Sequence, residues 1–262
     1  MKRLLLCWAL LCAPALAWNA RGHRVIAALA WEHMGFAVAE WVEEVLAQHP
    51  DPTARSREGA SIWPDRIRES WPESQNWHFI NLPIVLPGYS QQPPAPPEQD
   101  QVIWALSHWQ KIAVMTGDEG QRAQAVAFLI HLVGDIHQPL HAACGFSPET
   151  PQGDKGGSLR KLIGCWSPNL HHYWDCGGYP PELNDDELTE LVRPTPMGPD
   201  VHHLDFERWA QESHQLARQH AYPAPVDPGG EYALTTQHVS RQRMNQAGLR
   251  LAYVLRRLAQ GN

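Results

Sequence analysis

Apolar residues recur with a helical period along most of the chain. They define six stretches, at residues 25–48, 56–70, 101–115, 121–136, 205–220 and 232–258. Spacings of three and four residues place these side chains on one face of a helix, so each stretch is predicted to be helical. Gly35 is the expected break in the first stretch, and Pro64 the expected kink or restart in the second.

Two segments lack this period. Residues 83–97 contain six prolines and are predicted to be a loop. Residues 144–168 are rich in glycine and proline and show no helical pattern, although a small hairpin fits around Ser158–Ile163. Because long strand-like alternation is absent, the sequence predicts one all-α domain with a small loop or hairpin insertion near residues 145–168.

The first seventeen residues have the features of a secretory signal peptide. Lys2 and Arg3 precede a short apolar run, and Ala15 and Ala17 provide a small-x-small cleavage site. Cleavage after Ala17 would leave residues 18–262 as one domain, while an uncleaved anchor is the alternative. No other stretch predicts a transmembrane helix. We therefore expect a secreted or periplasmic protein without a membrane anchor. The sequence has no Asn-x-Ser/Thr glycosylation site, which suits a bacterial origin.

Composition narrows the possible functions. The chain has 262 residues, 43% of them hydrophobic and 19% charged, which is not the composition of a disordered protein. A formal net charge of −7 argues against binding duplex nucleic acid through a basic surface. Three cysteines follow the predicted cleavage site, enough for one disulfide. Proximity along the chain favours a Cys165–Cys176 bridge and a free Cys144.

The fifteen histidines draw attention to metal binding, because histidine is the commonest metal ligand. His131 and Asp135 are four residues apart within an apolar run, so both lie on one face of a predicted helix. A buried histidine–aspartate hydrogen bond would explain this pair equally well. The same spacing recurs at His171 and Asp175, however, and His141 follows the proline that ends the first helix. Nitrogen and oxygen ligands of this kind suit zinc.

Asp65 and His78 add two further candidate ligands, although neither would be remarkable alone. Together with the preceding pairs, they complete a series of motifs that resembles the S1/P1 nuclease family of trinuclear zinc enzymes. The resemblance is strongest from Trp18 to Asp175 and weaker beyond. The segments that carry it are Trp18–His23, Trp63–Arg68, Trp77–Asn81, His131–His141, Asp154–Gly157 and Asn169–Asp175.

The resemblance implies three zinc ions per chain and a role for each ligand. It assigns the first zinc to Asp65, His78, His131 and Asp135, and the second to His141, His171 and Asp175. It assigns the third to His23, to Asp135 again as a bridging ligand, and to the amino nitrogen and carbonyl oxygen of Trp18. His137 and His172 lie outside the ligand set, with their use as alternative ligands left open.

The resemblance also implies the reaction and the residues that carry it. Zinc-assisted hydrolysis would cut phosphodiester bonds of single-stranded DNA and RNA and leave 5′-phosphates, with 3′-nucleotidase activity as an added possibility. The implied catalytic residues are Asp65, Asp135 and Arg68, whose guanidinium would contact the phosphate. Those implied to bind substrate are Phe79, Asn81 and Lys155. Fungal members have aspartate at the position of Asn81, which leaves base preference open.

Two other functions remain to be weighed. Zinc phospholipases C share the fold and the His-x3-Asp-x5-His spacing. In those enzymes the first histidine lies further from the N-terminal tryptophan and the last carboxylate is glutamate. Here Trp18 and His23 are close and the last carboxylate is Asp175, which favours the nuclease. A non-catalytic zinc-binding module is the third possibility. The expected protein is a monomer with single-stranded nucleic acid as substrate and no stable protein partner.

Overall fold

The computed structural model describes residues 18–195, 202–225 and 227–261. The predicted signal peptide, residues 1–17, lies outside the described residues. Among the residues that are described, no helix is both long enough and apolar enough to cross a membrane.

Helices account for most of the described chain, as the hydrophobic period predicts. Gly35, with a φ of 86°, separates the first two helices. Pro64 lies inside the third helix without ending it. The described residues contain α1 Ala20–Met34, α2 Phe36–Ala47, α3 Arg57–Arg66, α4 Val102–Met115, α5 Glu119–His137, α6 Leu170–Asp175, α7 Asp185–Val192, α8 Phe206–Leu216 and α9 Gly230–Ala259.

Polar side chains cap most of these helices at their N-termini. A cap accepts a hydrogen bond from a backbone N–H of the first turn, which has no partner within the helix. Asn184 forms a capping box with Glu187 at the start of α7. The other side-chain caps of the α-helices are Asn19, Ser56, Gln101, Asp118, Asn169 and Asp205.

Helix α5 lies at the centre of the molecule. Every side chain from Ala125 to His137 is buried, so this helix is covered on all sides. Its neighbours include α2, α3, α4, α8 and α9, while α1 lies along α9. Polar groups on α5 are consequently shielded from water and must find partners within the protein.

The short strands differ from the sequence-based expectation. Pro83–Val85 (β1) pairs in parallel with Cys144–Phe146 (β2), so the predicted loop at residues 83–97 begins as a strand. The hairpin expected around Ser158–Ile163 is absent, and a single antiparallel bridge joins Lys161 to Asn169 instead. Parallel pairing joins segments about sixty residues apart, which a local sequence pattern does not reveal.

A further expectation needs correction. The Cys165–Cys176 disulfide is not formed, because Cys144, Cys165 and Cys176 are all free. The Sγ of Cys176 instead accepts a hydrogen bond from the Asn19 side chain.

Helix α7 was not predicted, since it follows a Gly- and Pro-rich segment and is only two turns long. The stretch at 205–220 is helical as predicted, and its last turn, Ala217–Ala221, is a π-turn.

Candidate metal centre

Asp135 on α5 lies among three histidines from different parts of the chain. Its Oδ2 is 2.9 Å from Nδ1 of His78 and 3.2 Å from Nε2 of His131. Its Oδ1 faces the other way, 3.2 Å from Nε2 of His23 on α1. Asp135 and the three histidines are all buried. The two carboxylate oxygens thus serve two neighbouring groups of nitrogen atoms.

Asp65 completes the first of these groups from α3. Its Oδ1 lies 3.7 Å from Nδ1 of His78 and 3.6 Å from Nε2 of His131. The same oxygen is 3.3 Å from Nη1 of Arg68, whose Nη2 donates to the carbonyl of Gln75. A buried guanidinium therefore stands beside this group of ligand atoms.

A further group forms where α6 meets the 3-10 turn Pro139–Ala142. Nε2 of His171 lies 3.2 Å from Nε2 of His141 and 3.5 Å from Oδ1 of Asp175. The same Asp175 oxygen accepts a hydrogen bond of 2.6 Å from Nε2 of Gln138. All four side chains are buried.

Backbone carbonyls fix the orientation of three histidine rings. Nδ1 of His131 lies 2.7 Å from the carbonyl of Ser61, Nδ1 of His141 lies 2.6 Å from that of His78, and Nδ1 of His171 lies 2.8 Å from that of Gly156. Each Nδ1 must carry a proton to donate to its carbonyl, so Nε2 is the nitrogen that holds the lone pair when the ring is neutral. This arrangement is typical of metal-binding histidines.

Burial perturbs the pKa values in this centre. Burial lowers the pKa of His78 to about 4 and that of His171 to about 3, so both rings are neutral near pH 7. Burial also opposes protonation of His131, but the nearby carboxylates outweigh it and raise its pKa to about 9. Burial opposes ionisation of Asp135 as well, yet the surrounding histidines hold its pKa well below the usual range.

Asp175 behaves in the opposite way. Burial, with the Asp65 and Asp135 carboxylates adding to it, raises the pKa of Asp175 well above its usual value despite the hydrogen bond from Gln138. Without a bound cation, ionisation of this acid is therefore disfavoured. A cation at His141, His171 and Asp175 would supply the positive charge that its ionised form needs.

The donor atoms fit zinc ions. The structure brings together His23, His131 and Asp135; Asp65, His78 and His131; and His141, His171 and Asp175, each set within 4.8 Å. Two donors on a tetrahedral zinc, with bonds near 2.0–2.1 Å, lie about 3.3 Å apart. The facing Nε2 atoms of His141 and His171, at 3.2 Å, both carry lone pairs, and a cation between them would relieve their repulsion.

Trp18 reaches the same region from the N-terminal side of α1. Its side chain is fully buried, and its indole Nε1 donates to the carbonyl of Gly134, one residue before Asp135. The backbone N–H of Asn19 donates to the carbonyl of Asp175. The start of the described chain is thus fastened to both helices that carry candidate ligands.

The two histidines expected outside the ligand set have other partners. Nδ1 of His137 lies 2.7 Å from the carbonyl of Val133, and its Nε2 accepts from Nη1 of Arg250. His172 is half-buried, with Nδ1 3.0 Å from Oγ of Ser167. Neither belongs to the three groups of candidate metal ligands among the described residues.

The candidate substrate-binding residues differ in exposure. Phe79 is half-buried next to His78, whereas Asn81 and Lys155 are exposed. Lys155 adopts a φ of 55° in the loop that presents the Gly156 carbonyl to His171. Phe79 and Lys155 therefore each lie next in sequence to a residue of the metal centre or its support.

Sequence reasoning missed the residues that support the ligands. Gln138 and Asp154 act through side chains, and the Asp154 carboxylate holds its loop by accepting from the N–H groups of Gly145 and Gly157 and from the Tyr222 hydroxyl. The signal for Gln138 was its place between Asp135 and His141. Nothing local in the sequence distinguishes Tyr222.

Comparison with known proteins agrees with this geometry. The S1/P1 Nuclease family model matches residues 18–260. The chain belongs to the S1/P1 nuclease family. It is 26% identical to Endonuclease 2 of Arabidopsis thaliana over 96% of this chain and 94% of that protein. It is 24% identical to Nuclease S1 of Aspergillus oryzae, over 90% and 89% of the two chains. Family membership makes the chain a hydrolase of the nuclease class.

Proposed function

We propose that this protein is an exported zinc-dependent endonuclease that cuts single-stranded DNA and RNA and leaves 5′-phosphates. The observation that carries the proposal is the convergence of eight histidine and aspartate side chains into three adjacent groups around α5 and α6. Three zinc ions are the expected complement. A monomer without a stable protein partner or membrane anchor is the expected form, and the same centre is a candidate for 3′-nucleotidase activity.

The ligand assignment follows the two faces of the Asp135 carboxylate. We assign one zinc to Asp65, His78, His131 and Asp135 through Oδ2. A second zinc falls to His141, His171 and Asp175. The third falls to His23, to Oδ1 of Asp135, and to the amino nitrogen and carbonyl oxygen of Trp18 once residues 1–17 have been removed.

Charge explains how an acidic protein would attract a polyanion. Three zinc ions would bring six positive charges against the carboxylates of Asp65, Asp135 and Asp175, a balance of about +3 at the centre. Arg68 adds a guanidinium beside it. Because this charge is concentrated rather than spread over a face, it favours a flexible single strand that brings one phosphate at a time to the centre.

The roles of the protein's own residues follow from their hydrogen bonds. When bound, zinc polarises the phosphoryl group and lowers the pKa of water. His131, His141 and His171 keep their protons on Nδ1 and so present Nε2 lone pairs. Arg68, paired with Asp65, is assigned to a phosphoryl oxygen. Phe79 is assigned to base stacking, and the exposed Asn81 and Lys155 to contacts with the base and the phosphate.

The test compares neighbouring histidines on α6. The purified protein and its His171→Ala and His172→Ala variants are assayed on single-stranded DNA, RNA, duplex DNA and phosphatidylcholine, with zinc measured in each preparation. We expect His171→Ala to lose zinc and nuclease activity, whereas His172→Ala keeps both, because the His172 ring bonds to the Ser167 hydroxyl rather than to a candidate ligand. Hydrolysis of phosphatidylcholine alone would favour a phospholipase, and zinc binding without any hydrolysis would favour a non-catalytic module.

A further inference from the structure

His23 is held differently from the other candidate ligand histidines. Neither of its ring nitrogens forms a hydrogen bond within the described part of the chain. Nε2 lies near Oδ1 of Asp135 without hydrogen-bond geometry, and that oxygen is unpaired as well. His131, His141 and His171, by contrast, each have a backbone carbonyl at Nδ1. Packing and the 3.2 Å approach to Asp135 therefore orient the His23 ring, with no backbone carbonyl to fix it.

The packing surface for that ring is provided by α5. The ring stacks on His131, with centroids 3.9 Å apart and planes 12° from parallel. It also lies against Gly134, where an added Cβ would come within 2.9 Å of Nδ1 and 3.0 Å of Cε1. A Cβ essentially never comes as close as 2.9 Å to another heavy atom, so an alanine at this position would force the His23 ring to shift.

Trp18 uses the same position. Its indole N–H donates to the carbonyl of Gly134 at 3.0 Å, and its side chain is completely buried. A second glycine, Gly22 on α1, makes room for it, because an added Cβ there would lie 2.8 Å from Cβ of Trp18. We call Gly134 and Gly22 the glycine seat. Together they allow Trp18 and His23 to pack close to the Gly134 backbone, next to Asp135.

We propose that Gly134 is a positioning residue for the third metal ion, placing the His23 ring and the Trp18 backbone opposite Oδ1 of Asp135. Gly22 supports the same placement from α1. This inference rests on the proposed function for the identity of the ion. The sequence offers no other reason for glycine here, since in the interior of a buried helix alanine would be the more stable residue.

The first experiment measures zinc affinity in Gly134→Ala and in Gly120→Ala. Gly120 is a matched control because it lies on the same helix, about 20 Å away at 1.5 Å per residue, and contacts no candidate ligand. We expect Gly134→Ala to bind the third zinc about 10- to 100-fold more weakly while keeping two. Gly120→Ala should bind three with unchanged affinity. Three zincs of unchanged affinity in Gly134→Ala would overturn the proposal.

A double-mutant cycle on the metal-free protein provides a readout independent of zinc. Gly134→Ala should lower the melting temperature in the wild-type background but not in a His23→Ala background, where the clashing ring is gone. An equal loss in both backgrounds would overturn the proposal. If Gly134→Ala does not fold, the double variant should still fold as well as His23→Ala, and its failure to do so would also overturn it. Wild-type protein without bound zinc would contradict the proposed function, while the cycle would still test the seat.

Discussion

Replacing Gln138 with methionine should weaken metal binding at His141, His171 and Asp175. Gln138 is completely buried, and its Nε2 donates to Oδ1 of Asp175 at 2.6 Å. Its Oε1 accepts from the backbone N–H of Leu140. Methionine has a similar length and volume but can form neither bond. The substitution therefore removes the partner of a candidate ligand without opening a large cavity.

The strength of the lost bond sets the expected effect. A hydrogen bond to a charged group contributes about 1.5–3 kcal/mol, and 1.4 kcal/mol corresponds to about a tenfold change in affinity. Zinc affinity at this group should therefore fall about 10- to 100-fold. The N–H of Leu140 also loses its acceptor, so the free energy of unfolding should fall by about 1–3 kcal/mol.

The assay is a competition titration of zinc against a chelator, combined with thermal unfolding. Gln101→Met is the matched control, because buried Gln101 caps α4 and its loss should cost about 1 kcal/mol without removing a partner from any candidate ligand. The chelator should displace the zinc assigned to His141, His171 and Asp175 earlier than in the wild type in Gln138→Met only. Identical titration curves for the wild type and Gln138→Met, or equal shifts in both variants, would refute the reasoning.

Three further predictions follow from the same centre. Asp135→Asn should lower activity more than about 100-fold and release zinc. His137→Ala should keep its zinc but melt at a lower temperature, because His137 contacts Arg250 rather than the ligands. Equal zinc loss in the two variants would contradict this assignment. A methionine added before Trp18 should leave about two zincs and little hydrolysis compared with an exported, correctly cleaved preparation, and equal turnover would contradict the role of the amine. Chelator-treated protein should be most stable near pH 6.5, the ordinary histidine pKa. Burial lowers the pKa of His171 to about 3, so its contribution to the free energy of unfolding falls as the pH drops below 6.5. Carboxylates raise the pKa of His131 to about 9 against the effect of burial, so its contribution to the free energy of unfolding falls as the pH rises above 6.5. Thermal melts from about pH 5 to 9 with their maximum elsewhere would contradict it.

The sequence contained enough to predict the ligand-bearing helix. His131 and Asp135 are four residues apart on a continuous apolar pattern, and the helical period makes them neighbours. Polar capping residues and Gly35 likewise mark helix ends through local backbone chemistry. These features depend on residues close in sequence, so they could be predicted without the fold.

Contacts between distant segments could not be predicted in the same way. The parallel pairing of β1 with β2 joins segments that no turn connects. The preference for a Cys165–Cys176 bridge rested on chain proximity alone, and Cys176 instead packs against Asn19 at the start of α1. Tyr222 reaches Asp154 across 68 residues, with no pattern near either to indicate the contact. Each of these depends on how whole helices are placed.

The supports of the ligands divide into two physical kinds. His131, His141 and His171 are oriented by the backbone carbonyls of other residues, and a carbonyl is present whatever side chain stands at that position. Gln138 and Gly134 act through a specific side chain or through its absence. The first kind requires only that the backbone keep its path. The second kind leaves no such freedom, so the precision of the centre should depend most on the short segment of α5 and its C-terminal end that contains both residues.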